Sequence, residues 1–179
     1  PAPIFFMKPE SALLRTRDFF YPKFTKNLHY ECEIVLKIDK VGKNIDEKFA
    51  HKYYSSCTLG LDFTARDIQQ NCKEKGLPWE IAKSFDQSAP LSKIWIPIKN
   101  KAEEIKFELE KNGEIVQKGS SQSMIFTFDQ IIAYVSKFIT LKKGDLIYTG
   151  TPSGVGEVKI GDNLKCLLMG EDVLNLNIK

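Results

Sequence analysis

Residues 28–38, LHYECEIVLKI, form the stretch that decides the fold of this chain. Aromatic and β-branched residues are frequent in it and neither glycine nor proline interrupts it, a composition typical of a β-strand. Further short segments share this character and are bounded by Gly, Asn, Asp or Pro. They predict strands at residues 53–61, 94–98, 105–110, 145–149, 164–168 and 173–178. The sequence therefore predicts a β-dominated fold.

Two shorter signals predict a turn and a surface helix. Asn112-Gly113 separates two alternating runs, which predicts a two-residue hairpin because both turn positions need positive φ. Residues 65–75 predict a helix that starts after Thr64 and stops at Gly76, so both of its ends carry a typical signal. Its apolar stripe is weak, and we expect it to lie at a surface or beside a cleft.

A second helix is predicted over residues 130–141, where apolar residues recur at helical spacing. Thr127 followed by Gln130 forms a capping box before it, and we expect Gly144 to end it. No repeat or linker divides the chain. Strands and helices together predict one β-rich α+β domain that spans residues 1–179.

Composition and charge exclude several classes of protein. Of the 179 residues, 42% are hydrophobic and 27% charged, which is ordinary for a globular domain. Lys+Arg at 26 against Asp+Glu at 23 gives a net charge of +3, too small for a dedicated nucleic-acid binder. No apolar run approaches the ~20 residues of a membrane span, and no signal peptide is evident, so we expect a cytoplasmic protein. Four cysteines without CxxC spacing predict reduced thiols.

Three carboxylates are candidates for binding a cation. Glu31 and Glu33 are two apart on a predicted strand, so their side chains share a face about 7 Å apart and can converge on one hard cation. The simpler alternative is a strand face exposed to solvent. Asp62 ends the apolar run YYSSCTLGLD just before a predicted helix, a common position for a functional carboxylate. Helix capping explains Asp62 equally well.

Cations and a glycine-rich loop could serve an anion beside these carboxylates. Arg66 and Gln69 are three apart on a helix and share a face, although both could be ordinary surface residues. Lys83 lies in an apolar segment and therefore needs a counter-charge. Residues 150–156, GTPSGVG, offer Thr151 and backbone amides that suit a carboxylate or phosphate. The loop matches no standard phosphate-binding motif and is weak evidence by itself.

Five ordered blocks together resemble the fumarylacetoacetate hydrolase family, and most closely its acylpyruvase branch. The similarity runs from about residue 4 to residue 162. The blocks are HYECE at 29–33, GLDFTARDIQ at 60–69, KGLPW and AKSFD within 75–86, GSSQSMIF at 119–126, and GD followed by TGTPSGVG within 144–156. Their order and spacing make the resemblance far more specific than any single block.

The resemblance implies a β-rich fold with a partly rolled mixed sheet, and a homodimer. It also implies Mg²⁺ or Mn²⁺ held by Glu31, Glu33 and Asp62. The residue chemistry agrees, since three carboxylates form an all-oxygen site of about −3 that leaves positions open for a ligand. A 2-oxo acid can fill two of those positions through its carboxylate and keto oxygens.

The resemblance further implies substrate contacts from Arg66, Gln69, Lys83 and Thr151, with Lys83 as a catalytic residue that donates where negative charge develops. In the family the base that activates water is a His-Glu pair on a segment ahead of the position of Pro1. That segment is absent from this sequence.

The implied reaction is hydrolysis of a carbon-carbon bond in acylpyruvate-type 2,4-dioxo acids, which releases pyruvate. Oxaloacetate decarboxylation at the same site is an alternative, because it forms the same enolate without activated water. Isomerisation of a dienedioate is a third possibility. Outside enzymes, a non-catalytic metal- or anion-binding domain remains open. We expect a small 2-oxo acid as substrate, and neither nucleic acid nor membrane as partner.

Overall fold

A computed structural model describes residues 2–100 and 102–179, and fourteen strands carry most of the fold. The strands are β1 Leu13–Leu14, β2 Asp18–Phe19, β3 Leu28–Tyr30, β4 Cys32–Ile38, β5 Tyr54–Leu61, β6 Thr64–Ala65, β7 Ala89–Pro90, β8 Ile96–Pro97, β9 Lys106–Lys111, β10 Glu114–Ser120, β11 Leu146–Tyr148, β12 Gly156–Glu157, β13 Asn163–Leu168 and β14 Glu171–Ile178. They form four sheets, in the orders β10-β9-β13-β14-β2, β11-β4-β5-β8, β12-β3-β6 and β1-β7.

The helices are short, the longest having ten residues. The α-helices are α1 Glu47–Ala50, α2 Arg66–Lys75, α3 Glu80–Lys83 and α4 Phe128–Ser136, and single 3-10 turns cover Glu10–Ala12, His51–Tyr53 and Ser121–Ser123. The five-stranded sheet is mixed, since β14 with β2 is a parallel pair among antiparallel ones, and β1 with β7 forms a separate parallel pair. The predicted β-rich α+β fold is confirmed.

The hydrophobic core lies between the two larger sheets. Leu36 and Leu59 from the four-stranded sheet and Leu164 and Leu176 from the five-stranded sheet are fully buried members of one cluster. Alternate residues of β13 are buried, as expected for a strand with one face on a core. All four cysteines are free and buried, as predicted for reduced thiols.

Local signals predicted the turn and the helix starts correctly. Asn112 and Gly113 have φ of 54° and 85° and join β9 to β10. Thr127 and Gln130 form the predicted capping box, and Gly76 caps α2 in the left-handed conformation. Other helix and strand boundaries differ from the prediction, because residues far apart in the sequence contact each other there.

The helix predicted over 130–141 ends early, at Ser136. The backbone of Leu141 instead exchanges two hydrogen bonds with Gly42, of 2.9 and 3.0 Å, which draws the chain out of the helix. Gly144 therefore does not end this helix. It lies in the turn before β11, where its N–H donates to the carbonyl of Ile38.

The stretch 28–38 is also divided, because Glu31 belongs to neither β3 nor β4. β3 pairs with β6 and β12, whereas β4 pairs with β5 and β11. At Glu31 the chain therefore passes from one sheet into another. This change of sheets positions the carboxylates of the candidate metal centre.

Candidate metal centre

Three buried carboxylates converge where the two sheets meet. Glu31 lies at the break between β3 and β4, Glu33 is the second residue of β4, and Asp62 follows the end of β5. The Asp62 N–H donates to the Glu31 carbonyl at 2.8 Å, which joins the two chain segments. One oxygen from each carboxylate lies within 4.8 Å of the others, and the residues are only 9%, 4% and 3% exposed.

Cations surround two of these carboxylates. The Lys83 ammonium donates to Glu31 at 2.8 Å and to Asp62 at 2.7 Å, and its side chain is 3% exposed. The Arg66 guanidinium donates to the other Glu31 oxygen at 2.6 Å. Lys83 therefore has the counter-charges that its apolar segment required, and Arg66 is committed to a carboxylate of the site.

The third carboxylate, Glu33, is the exception. Its partner is the Gly150 N–H, which donates to it at 2.7 Å, and no cation pairs with it among the described residues. Burial, followed by the negative charge of Asp62, raises the pKa of Glu33 to about 8. Burial also acts to raise the pKa of Glu31, but Lys83 and Arg66 overcome it and hold that pKa below its ordinary value.

Lys8 is a site residue that the sequence analysis missed. Its ammonium lies 2.8 Å from Asp62 Oδ1 and donates to the Ser88 hydroxyl at 2.9 Å and to the carbonyl of Lys83. Burial lowers the pKa of Lys8, and Asp62 opposes this shift. Lys8 ends the apolar run PIFFM, and the argument made for Lys83, that a lysine in an apolar segment needs a counter-charge, would have found it.

The donor set fits a hard divalent cation. It contains only carboxylate oxygens, which suit Mg²⁺ and Mn²⁺. Asp62 Oδ1 is buried and accepts no well-directed hydrogen bond, even though Lys8 is near. A cation beside Glu33 and Asp62 would also offset the burial and the negative charge of Asp62, which together raise the pKa of Glu33. Glu31, Glu33 and Asp62 are therefore the residues that would hold a metal.

The remaining predicted residues lie at the same site. Arg66 donates to the Gln69 side-chain oxygen at 2.7 Å, as their shared helix face predicted. The Thr151 hydroxyl donates to the Cys32 carbonyl at 2.8 Å and accepts from the Gln117 amide at 2.9 Å. Gln117 also accepts from the Cys32 N–H at 3.0 Å, so it ties the loop to the strand that carries the carboxylates.

The prediction that the 150–156 loop offers its amides to a ligand was wrong at Gly150. That N–H is bound to Glu33, and Thr151 is bound to the backbone of β4. The loop thus fixes the orientation of a carboxylate of the site. The spacing of residues could not indicate this, because the two segments are far apart in the sequence.

A cleft of about 1510 Å³ opens above the carboxylates. Glu33, Asp62 and Lys83 line it together with Gln69 and Thr151. Its volume exceeds the ~300–1,000 Å³ of typical small-molecule sites, which leaves room for an elongated ligand. The arrangement can hold a metal-chelating anion at its base and contact further groups along its walls.

The model of the fumarylacetoacetate (FAA) hydrolase C-terminal family matches residues 1–179. The chain belongs to this family. It is 42% identical over 181 residues to the mouse (Mus musculus) protein named oxaloacetate tautomerase FAHD1, mitochondrial, covering 99% of this chain and 81% of the mouse protein. It is also 42% identical over 175 residues to the mitochondrial oxaloacetate decarboxylase of Dictyostelium discoideum, covering 95% of this chain and 79% of that protein.

A solved structure agrees with the fold and contains a divalent metal. Fumarylpyruvate hydrolase from Pseudomonas aeruginosa, crystallised with Mn²⁺ and pyruvate, superimposes with a TM-score of 0.92 at 35% identity, covering 98% of this chain and 78% of that one. The family predicted from the sequence blocks is confirmed, and the acidic triad is consistent with a divalent metal. No helix within residues 2–100 and 102–179 is both long and apolar enough to cross a membrane.

Proposed function

We propose that this chain is an enzyme that uses Mg²⁺ or Mn²⁺ to hydrolyse a carbon-carbon bond in acylpyruvate-type 2,4-dioxo acids, releasing pyruvate. The observation that carries the proposal is the convergence of Glu31, Glu33 and Asp62 beside Lys83 at the base of a wide cleft. The P. aeruginosa relative, named as a fumarylpyruvate hydrolase, supports the same chemistry.

The charges of the site suit a substrate that becomes more negative as it reacts. A bound divalent metal would supply Lewis-acid polarisation of the 2-keto group. Lys83 has three N–H donors, of which two go to Glu31 and Asp62, and among the described residues the third has no acceptor. We assign this third donor to the oxygen on which the enolate charge develops, so Lys83 is the catalytic residue.

The other polar groups hold the substrate and its surroundings in place. Gln69 and Thr151 line the cleft. The Gln69 amide would donate to the substrate carboxylate, and the Thr151 hydroxyl would do so by turning away from the Cys32 carbonyl. Arg66 orients Gln69 and neutralises part of the charge of Glu31. Lys8 likewise neutralises part of the charge of Asp62, at the carboxylate oxygen that Lys83 does not contact. The site thus balances carboxylates and cations before a substrate anion enters.

Oxaloacetate decarboxylation is a second candidate. The Dictyostelium relative bears that name, and the mouse relative is named as a tautomerase of the same acid. Both reactions pass through an enol or enolate of a 2-oxo acid, which the same residues would stabilise. Decarboxylation needs no activated water, so it demands less of the site than hydrolysis.

The test uses the full-length protein loaded with Mg²⁺ or Mn²⁺. Loss of the acetylpyruvate enol absorbance, with pyruvate measured by a coupled dehydrogenase, reports hydrolysis. Glu33→Ala should abolish the activity, whereas Glu114→Gln, an exposed carboxylate on β10, should leave it unchanged. If oxaloacetate alone yields pyruvate above the rate with free metal, the second candidate replaces the first. If neither acid reacts, the proposal fails.

Two further properties belong to this proposal. We propose that the protein assembles as a homodimer, which light scattering at several concentrations would test. The sequence predicts a cytoplasmic location, whereas the mouse and Dictyostelium relatives carry the word mitochondrial in their names. Fractionation of cells that express the native gene would decide between these compartments.

A further inference from the structure

The cations that line the cleft differ in whether they have a partner. Lys8 and Lys83 pair with carboxylates of the metal site. On the wall of the cleft, Lys106 pairs with Glu104 and Lys118 pairs with Glu108. Lys73 lies over the Trp79 ring. Arg15 is the sixth lining cation, and in the described part of the chain it forms neither an ion pair with a carboxylate nor a cation–π pair with an aromatic ring.

The fold fixes where Arg15 lies relative to the carboxylates. It directly follows β1, and the Leu14 carbonyl accepts from the Leu91 N–H at 2.9 Å. Leu91 forms a bridge with Gly60, and Gly60 is paired with Glu33. Three strand-to-strand steps therefore connect Glu33 to the end of β1. At about 4.8 Å for each step, their backbones are at most about 15 Å apart.

Tyr148 lies between Arg15 and the metal site. Its hydroxyl lies 3.4 Å from the Ala89 carbonyl and 3.3 Å from the Pro90 carbonyl, the two residues of β7 that pair with β1. Its ring lies against Gly60, where a Cβ would come within 2.5 Å of it. Burial raises the pKa of Tyr148, the charges of Glu33 and Asp62 add to this, and Arg15 opposes it, so all three charges act on one hydroxyl.

We infer that Arg15 binds a second carboxylate, at the end of the substrate away from the metal, and that the substrates are therefore 2-oxo diacids. This inference rests on the proposed function, because the second carboxylate is placed relative to the end of the substrate that would chelate the metal. A guanidinium offers paired donors that match a carboxylate, and it stays ionised at any physiological pH. Arg15 is exposed to the cleft, so a substrate can reach it without displacing a protein partner.

The length of the gap limits the length of the diacid. Both side chains extend into the cleft, so a substrate has to span less than the backbone separation of at most about 15 Å. An extended diacid such as fumarylpyruvate, with its second carboxylate several bonds beyond the cleaved bond, fits within this limit. Arg15 is thus a specificity-determining residue for the far end of the substrate.

The first experiment compares two substrates of one reaction, fumarylpyruvate with a distal carboxylate and acetylpyruvate without it. Arg15→Gln should lower kcat/KM for fumarylpyruvate by about 10- to 100-fold, the usual effect of losing a hydrogen bond to a charged group. The value for acetylpyruvate should change by less than about 2-fold. Arg17→Gln, an exposed arginine outside the cleft lining, is the matched control and should change neither.

Equal losses on both substrates, or no loss on either, would overturn the role of Arg15. A binding measurement separates this outcome from failure of the proposed function. In Mn²⁺-loaded protein, calorimetry with 2-oxoadipate and with pyruvate reports the distal contact without any turnover. Arg15→Gln should weaken 2-oxoadipate by at least about 10-fold and leave pyruvate unchanged. Unchanged 2-oxoadipate binding would refute the inference even if acylpyruvates are hydrolysed.

Discussion

Replacing Glu33 by glutamine should stabilise the metal-free protein at neutral and alkaline pH. Glu33 is 4% exposed and lies beside Asp62 and Glu31 without a cation of its own among the described residues. Glutamine keeps the shape of the side chain, and its carbonyl can still accept from the Gly150 N–H. The substitution therefore removes the ionisation of Glu33 and little else.

The size of the effect follows from the pKa of Glu33, raised from 4.5 to about 8. Between these values the folded protein holds a proton that the unfolded chain has released, so the free energy of unfolding falls as pH rises through this window. At pH 7 the solution is about 2.5 pH units above the ordinary pKa of 4.5. At ~1.4 kcal/mol per unit, this lowers the free energy of unfolding by about 3 kcal/mol. This equals about 6–12 °C in Tm for a chain of this length.

Thermal unfolding in the presence of a chelator measures this directly. The Tm of Glu33→Gln should match that of the wild type near pH 4.5 and exceed it increasingly toward pH 8, whereas Glu114→Gln should follow the wild type throughout. Saturating Mn²⁺ should reverse the order, because it stabilises only the protein with all three carboxylates. A difference in Tm that does not vary with pH would refute the reasoning, since Glu33 would then be ionised in the folded protein.

Three other substitutions test separate parts of the site. Asp62→Asn should abolish measurable Mn²⁺ binding in calorimetry, and retained affinity would remove Asp62 from the ligands. Lys83→Met should retain Mn²⁺ binding but lower kcat by about 100-fold or more, as loss of one donor to a developing oxyanion does, and an unchanged kcat would contradict its catalytic role. Gln117→Leu should lower the free energy of unfolding by about 1–3 kcal/mol in urea titrations, because it leaves the buried Cys32 N–H without an acceptor. No loss of stability would mean that water replaces the amide.

The sequence predicted those features of the fold that depend on neighbouring residues. The Asn112-Gly113 turn and the capping box at Thr127 are set by local backbone preference, and both occur as predicted. The end of α4 was predicted wrongly because Leu141 pairs with Gly42, about a hundred positions earlier. Periodicity contains no information about such a partner.

The same distinction applies to the site. Glu31 and Glu33 are two apart in the sequence and Arg66 and Gln69 share a helix face, so the proximity within each pair could be predicted from spacing. That Asp62 joins them was suggested by the apolar run before it and by the family resemblance. The apolar segment before Lys8 indicates that this lysine needs a counter-charge, but that its partner is Asp62, 54 positions away, follows only from the folded chain.

The break at Glu31 connects these observations. Had residues 28–38 remained one strand in one sheet, Glu31 and Glu33 would lie between the same two neighbouring strands. Instead β3 pairs with β6, which leads directly into Arg66, while β4 pairs with β5, which ends just before Asp62. The residue at the break therefore receives a cation from one sheet and a carboxylate from the other. The site exists because the chain changes sheets at Glu31, two residues before Glu33.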